Sequence, residues 1–368
     1  MANFNNTVKG WFVDGFWKTF CVSWVWQTFC VAWFWTLLCK KWIWQGFCVN
    51  TLYKKFDSYK GWIYLAPAIV LLIVFTVWPI FNTLRMAFWN KYNMLQEIGG
   101  TLEFELGIKN FVDVINYQRF KDCLKTTMIL CIATVPISTF LALVIAVCLN
   151  SIKPLKRFLQ TIFFLPYVTN SIAIGMVFEA MFNIVGYKAK LNPDGTFSHV
   201  SVGIINSIIG LFGFEPINWI NQGSSYWNNI AVLIIYIVWN ALPFKILILL
   251  GGLQSVNKQY YEAAKVDATP RVRVFTRITV PLLSPMIAYV VITGFIGGFK
   301  EYSSIVGIFG EDMQAVGGKS LNTMVGYIYD SLARNQQGRA SAAALILFGI
   351  IFVVTLINLY VSKKKTHY

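Results

Sequence analysis

The side chains able to carry chemistry in this chain are few and scattered. Seven cysteines and two histidines occur, but His199 and His367 lie far apart and no Cys-x-x-Cys pair exists. That spacing argues against a zinc or redox centre, since a metal site needs several such ligands brought close together. No pairing of His, Cys or carboxylates supplies a catalytic constellation. Gly318-Lys319-Ser320 ends like a phosphate-binding loop, but Met313 stands where its first glycine belongs, so it is read as a chance match. The ionisable residues of interest instead sit in apolar surroundings: Glu179, Lys245, and the neighbours Lys300 and Glu301. A charge there is costly and faces a cavity, a partner or the membrane surface. One polar stretch also stands out, Leu253 to Pro281. In it Lys258 to Ala268 has a helical composition, Pro270 ends the helix, and a second basic helix over 271–279 leads to Pro281.

The elements that must position these groups are set by composition. Of 368 residues, 57% are hydrophobic, 17% aromatic and only 13% charged, against roughly 25% charged in soluble domains. Mean hydropathy is +0.58. These values exclude a disordered chain and weigh against a cytosolic enzyme. Six apolar stretches are long enough to cross a bilayer as helices: 61–84, 126–152, 158–182, 228–253, 281–300 and 340–362. They are continuous runs rather than ten-residue alternating strands. The expected fold class is all-α, a polytopic helical membrane bundle with six core transmembrane helices. The first residues lack the pattern of a cleavable signal peptide.

The net charge of +15 follows the spans. If the approach to the first span is cytosolic, the inside segments hold 14 basic and three acidic residues, and the loops 85–125, 183–227 and 300–339 hold 12 basic and 11 acidic. The excess is +11 inside and +1 outside, a topology signal rather than a nucleic-acid footprint. It places the C-terminus in the cytoplasm. Residues 1–59 form a separate aromatic segment. A nine-residue unit repeats from Phe20, Phe29, Leu38 and Phe47, with Cys21, Cys30, Cys39 and Cys48 in register. Nine helical residues turn roughly 900°, so successive repeats face opposite sides. Spanning the membrane and lying in its interface both fit this segment. The remaining chain, 60–368, forms the transmembrane domain.

The polar stretch resembles a known family. Glu262-Ala263-Ala264 followed by Asp267, Ile278 and Pro281 is similar to the EAA loop, here at about 253–281, of binding-protein-dependent ABC transporter permeases. Ala268 stands where that family usually has glycine; alanine keeps the position small but makes a positive-φ turn there less expected. Over about 61–362 the resemblance is closest to the sugar (maltose-type) branch. It is carried by Tyr64-Leu65-Ala66-Pro67, Trp78-Pro79, Phe163-Phe164-Leu165-Pro166, Gly203-Ile204-Ile205-Asn206, Trp219, Trp239 with Pro243-Phe244, and Gly251-Gly252-Leu253-Gln254-Ser255. The resemblance implies a type I importer permease in the cell membrane, not an enzyme by itself and with no cofactor. Its implied partners are a second homologous permease subunit, two ATPase subunits and an extracytoplasmic solute-binding protein, besides membrane lipid. Glu262, Ala263, Ala264, Asp267 and Ala268 would couple to the ATPase. A carbohydrate path would run past Asn170, Trp239, Asn240 and Tyr289, since sugars are held by neutral hydrogen-bonding groups and aromatic faces. The rival readings are a permease for a non-sugar solute and a secondary transporter or channel. The latter should show an inverted repeat and an acidic ion path, and only Glu179 is an intramembrane acid. Gly294, Gly297, Gly298 and the run 340–344 offer small surfaces for helix packing.

Overall fold

The computed structural model describes residues 61–62, 64–90, 92–100, 105–152, 156–183, 188–191, 197–200, 203–221, 223–310 and 321–365. The N-terminal repeat and Gly318-Lys319-Ser320 lie outside these residues. The chain divides into two compact units, Met1–Pro79 and Ile80–Tyr368. The described part of the first unit is helical, with a π turn at Ile73–Val77. It belongs to helix α1, Tyr64–Phe88.

Among its described residues the second unit is helical apart from one small hairpin and an isolated antiparallel bridge between Trp89 and Leu106. Helix α2 (Lys109–Asn116) precedes the 34-residue α3 (Gln118–Ser151). Then come α4 (Lys156–Val168) and α5 (Ser171–Phe182). An antiparallel pair, β1 (Lys188–Leu191) and β2 (Phe197–Val200), leads to the short α6 (Ile204–Leu211). Helix α7 (Tyr226–Ser255) is followed by α8 (Lys258–Val266), α9 (Arg271–Leu282) and α10 (Ser284–Phe299). The chain closes with α11 (Ser303–Phe309), α12 (Met324–Ala333) and α13 (Gln337–Lys365).

Helix α3 is the axis of this unit, and its buried face is built from small residues. Thr126, Thr127, Thr134, Ser138, Thr139, Ala142 and Ala146 are all buried, and small side chains let neighbouring helices approach closely where hydrophobicity alone gives little drive. Three apolar clusters follow it. Cys123, Cys131 and Val135 pack with α12 and α13; Leu130 packs with α5, α7 and α11; Ala142 to Leu149 pack with α7 and α10. The run Ala340, Ser341, Ala342 and Ala343 is buried, as a packing surface requires.

Among the described residues four helices are long and apolar enough to cross a membrane alone, and two of the six predicted spans are broken rather than continuous. The stretch 158–182 bends by 98° between Phe158–Val168 and Ser171–Phe182. Pro166 removes a donor from the last turn, Thr169 Oγ1 donates back to the Pro166 carbonyl at 2.9 Å, and Asn170 caps the new helix by accepting from the Ile172 amide at 2.8 Å. The stretch predicted as 281–300 belongs to a longer pair, Arg271–Leu282 and Ser284–Phe299, bent by 68°. The bend falls at Leu283, between Pro281 and Pro285, where two ring nitrogens cannot donate to the helical ladder.

Candidate functional site: a polar cleft and a short exposed helix

The polar loop after α7 folds as expected into a capped helix. Asn257 accepts from the Gln259 amide at 3.0 Å and starts α8, as a short polar side chain does at a helix N-terminus. At its end the Thr269 amide donates to the Ala264 carbonyl at 2.9 Å and the Ala268 amide to that of Lys265 at 3.1 Å. These two bonds form a Schellman closure, and it requires a left-handed residue at Ala268, whose φ is 49°. The positive-φ turn that alanine disfavours is therefore made with alanine. A left-handed non-glycine residue costs about 1–2 kcal/mol. Ala268→Gly is expected to stabilise this turn by about 1 kcal/mol, slowing exchange of the Thr269 amide roughly fivefold. Hydrogen exchange read by mass spectrometry checks this; unchanged protection would mean the turn is unstrained.

The family resemblance assigns Ala263 and Ala264 together to the ATPase contact. The structure separates them: Glu262 and Ala263 are exposed, whereas Ala264 is buried against its own chain. Asp267 caps the helix and is exposed, as is Ala268. The outward surface is completed by Tyr260 and Val266, the latter 87% exposed. The helix is tied to α9 by Tyr261, whose hydroxyl lies 3.3 Å from Thr279 Oγ1. Thr279 closes a π turn, Phe275–Thr279, within α9.

A second feature lies within the bundle. A cavity of about 330 Å³ opens between α3, α7 and α10. Its polar lining comes from Thr134 and Ser138 on α3, Asn240 and Lys245 on α7, Thr293 on α10 and Glu301 just beyond it. Tyr167 and Phe244 form an aromatic wall, stacked with centroids 6.0 Å apart. Two of the helices that line the cavity, α3 and α7, each carry an internal proline. Pro136 interrupts the hydrogen-bond ladder of α3, where Ser138 and Thr139 donate back to the Thr134 and Val135 carbonyls. Pro243 leaves the Trp239 carbonyl without its helical donor.

Lys245 is the charged member of this lining and is only 5% exposed. Its ammonium donates to Ser138 Oγ at 2.7 Å, Thr139 Oγ1 at 3.1 Å and the Val135 carbonyl at 3.3 Å. Its three donors are thus matched by three oxygens of α3. A Cβ on Gly294 would come within 3.1 Å of Val135 Cγ1 and 3.2 Å of the Lys245 Nζ, so a larger residue there would press on the ammonium and its neighbour. Glu301 takes a different part: its carboxylate accepts from the Ser304 amide at 3.2 Å and starts α11.

Of the four residues singled out for a solute path, the structure puts Asn240 in this lining and the other three outside it. The Asn170 amide is engaged as a helix cap. Trp239 packs on Phe178, centroids 5.3 Å apart. Tyr289 is half-exposed on α10. The residues that sequence reading missed are Thr134, Ser138, Tyr167 and Thr293. A usable signal existed for two groups of them. Thr134 and Ser138 are one helical turn apart around Pro136, and Thr293, Gly297 and Glu301 recur at the four-residue spacing of a helix face.

Comparison with known proteins adds to this geometry. The family described as binding-protein-dependent transport system inner membrane component matches residues 134–367. The lactose transport system permease protein LacF of Rhizobium radiobacter is 27% identical over 85% of this chain and 97% of the relative. The arabinooligosaccharides transport system permease protein AraP of Bacillus subtilis is 28% identical over 82% of this chain and 88% of the relative. A crystal structure of a bacterial alginate ABC transporter in complex with an alginate pentasaccharide-bound periplasmic protein contains a chain with the same fold. Its TM-score is 0.65 at 20% identity, covering 86% of this chain and 98% of that one.

Proposed function

Because the chain belongs to the family of binding-protein-dependent transport system inner membrane components, we propose that it is one membrane-spanning half of an ATP-driven importer for a carbohydrate. It pairs with a second, homologous permease subunit, and an extracytoplasmic solute-binding protein delivers the solute. Two ATPase subunits sit on the cytoplasmic side, one of them receiving the α8 helix, and the C-terminus lies with them in the cytoplasm, on the basic side of the chain. The observation that carries this reading is the cleft of about 330 Å³, lined by hydroxyl and amide groups and the Tyr167–Phe244 stack beside Lys245 and Glu301. Neutral donors and acceptors satisfy sugar hydroxyls, and ring faces cover their apolar C–H surface. The names of the relatives, for lactose and arabinooligosaccharides, point to the same solute class.

In this reading ATP binding draws the ATPase subunits together, and α8 passes the movement through the Tyr261–Thr279 contact to α9 and on to α10, which lines the cleft. Glu262 and Ala263 meet the ATPase directly. Ala264, Asp267 and Ala268 hold the helix end in shape. The test joins Glu262→Lys with Ala263→Trp, which reverses one charge and fills the space beside it. Uptake of labelled oligosaccharide is expected to fall at least tenfold, a loss of about 1.4 kcal/mol of coupling. Uptake at the parental rate would sink the assignment of α8.

Asn240 is the residue we assign to the solute itself, with Trp239 beside it and Tyr289 and Asn170 flanking the path. A buried sugar hydroxyl deprived of its partner costs about 1–3 kcal/mol. Asn240→Ala should therefore slow uptake roughly tenfold, with the quantity of assembled complex and its basal ATP hydrolysis unchanged. Trp239→Ala should do the same and also lower the amount of complex, because it removes the ring packed on Phe178. Parental uptake of every tested sugar by Asn240→Ala would remove it from the path.

A further inference from the structure

The segment between α5 and α7 carries an apolar projection that the transport reading does not use. Residues 203–214 contain no charged side chain. Helix α6 presents Ile204, Ile208 and Leu211 along one face, all exposed. Beyond it the chain turns at Phe212 and Gly213, and the tip of the projection is bare: Leu211 is 85%, Phe212 75% and Phe214 70% exposed.

This tip is rigidly held. Asn206 is buried, and its amide group donates to the Ile217 carbonyl at 2.9 Å while its oxygen accepts from the Ile217 amide and the Trp219 indole, each at 3.1 Å. One side chain thus clamps the returning strand of the loop to the helix. The base is fixed to α5: Trp219 packs edge-on against Phe182, the last residue of that helix, at 5.7 Å, and Asn221 donates to Asn183. The projection therefore leaves the bundle at the level where α5 ends and α7 begins. The exposed Trp227 in the first turn of α7 marks that level as the membrane interface, where tryptophan concentrates.

We propose that the α6 tip, Leu211, Phe212 and Phe214, inserts into the adjoining bilayer leaflet and anchors this end of the subunit to lipid. Chemistry favours lipid over a soluble protein partner. A specific protein interface surrounds its apolar core with polar and charged groups, whereas Glu215 is the one charged side chain within the described residues 203–221. A rigid apolar tip without basic residues suits burial among acyl chains just below the headgroups, without selectivity for anionic lipid. The inference rests on the chain being embedded in a membrane and not on the solute it carries.

The test places p-benzoylphenylalanine at Phe212 or at Phe214 in the full chain, in the membranes of growing cells. Both side chains are exposed, so the larger ring displaces no packing. The same residue at Phe352, exposed on the apolar α13, and at Phe75, exposed on α1, supplies the reference for acyl-chain contact. After irradiation and denaturation the chain is expected to carry a mass increase of one phospholipid from both tip positions, as from the references. Cross-linking of the tip to another protein would show a docking surface and overturn the proposal. A chain recovered without adduct from the tip positions, while the references react, would place the tip in water and overturn it equally.

Discussion

Gly307→Val is expected to abolish the folded subunit, and Gly175→Val to do the same. Helices α5 and α11 cross with these two glycines face to face. A Cβ on Gly175 would lie 2.6 Å from the Gly307 Cα and 2.8 Å from its carbonyl carbon; one on Gly307 would lie 3.0 Å from both the Gly175 Cα and the Ile172 carbonyl oxygen. The obstacle in each direction is backbone, which cannot rotate away as a side chain does. Overpacking of a core costs about 1–3 kcal/mol when side chains can adjust, so the upper end applies here even for alanine. Separation of the two helices would also open the cluster of Phe182, Ile305 and Ile308. The measurement is the amount of monodisperse protein extracted in mild detergent, with its unfolding temperature. Gly297→Ala is the control, since a Cβ there meets nothing within 4 Å. Valine variants recovered at the level of the control would show that the crossing is looser than the structure has it.

Around Lys245 an asymmetry between partners is expected. Ser138→Ala combined with Thr139→Val leaves the ammonium with one of its three acceptors, the Val135 carbonyl. A hydrogen bond to a charged group contributes about 1.5–3 kcal/mol, so the pair of changes should cost about 3–6 kcal/mol and lower the yield of complex severely. Lys245→Met removes the charge together with its need for partners, and a chain of similar length fills the same channel. Replacing a buried charged group by an apolar one of like volume is often neutral, so this variant should assemble normally. The triple variant should then recover what the double one lost. Detergent-extracted yield of the four proteins forms a thermodynamic cycle. Additive losses, with Lys245→Met as damaging as the double change, would show that the lysine contributes through its charge elsewhere.

The apolar stretches that cross the membrane were legible because twenty uncharged residues in sequence admit few alternatives. So was α8, framed by Asn257 before it and Pro270 after it. The two bends were not, although their local signals are present: Pro166, Thr169 and Asn170 in one case, Pro281 and Pro285 in the other. Within a long apolar run, composition points to a continuous helix and masks a capping asparagine. The cleft was half visible. Asn240 stood out as an amide among apolar neighbours, whereas Thr134, Ser138 and Thr293 look like packing residues until three helices converge. The Gly175–Gly307 crossing was not readable at all, because it joins positions 132 residues apart and no local pattern links them. Ala268 shows the opposite case: the residue type argued against the turn, and the two closing hydrogen bonds outweighed it.

The two bent pairs also govern parity. Among the described residues between Phe88 and Lys363 there are three unbroken helices long enough to span, Gln118–Ser151, Tyr226–Ser255 and Gln337–Lys363, and two bent pairs. If both pairs traverse the bilayer the crossings number five; if both dip in and return they number three. Either count is odd, so Phe88 and Lys363 emerge on opposite faces in both arrangements, and a reporter fused at one of them cannot tell the arrangements apart. What changes is the loop between the pairs. The 183–225 and 256–270 segments exchange faces according to whether the Phe158–Phe182 hairpin crosses. Between these two arrangements, sidedness is therefore decided in the middle of the subunit, by labels on those two loops; only an arrangement with one pair crossing and the other returning, four crossings in all, would show at the ends.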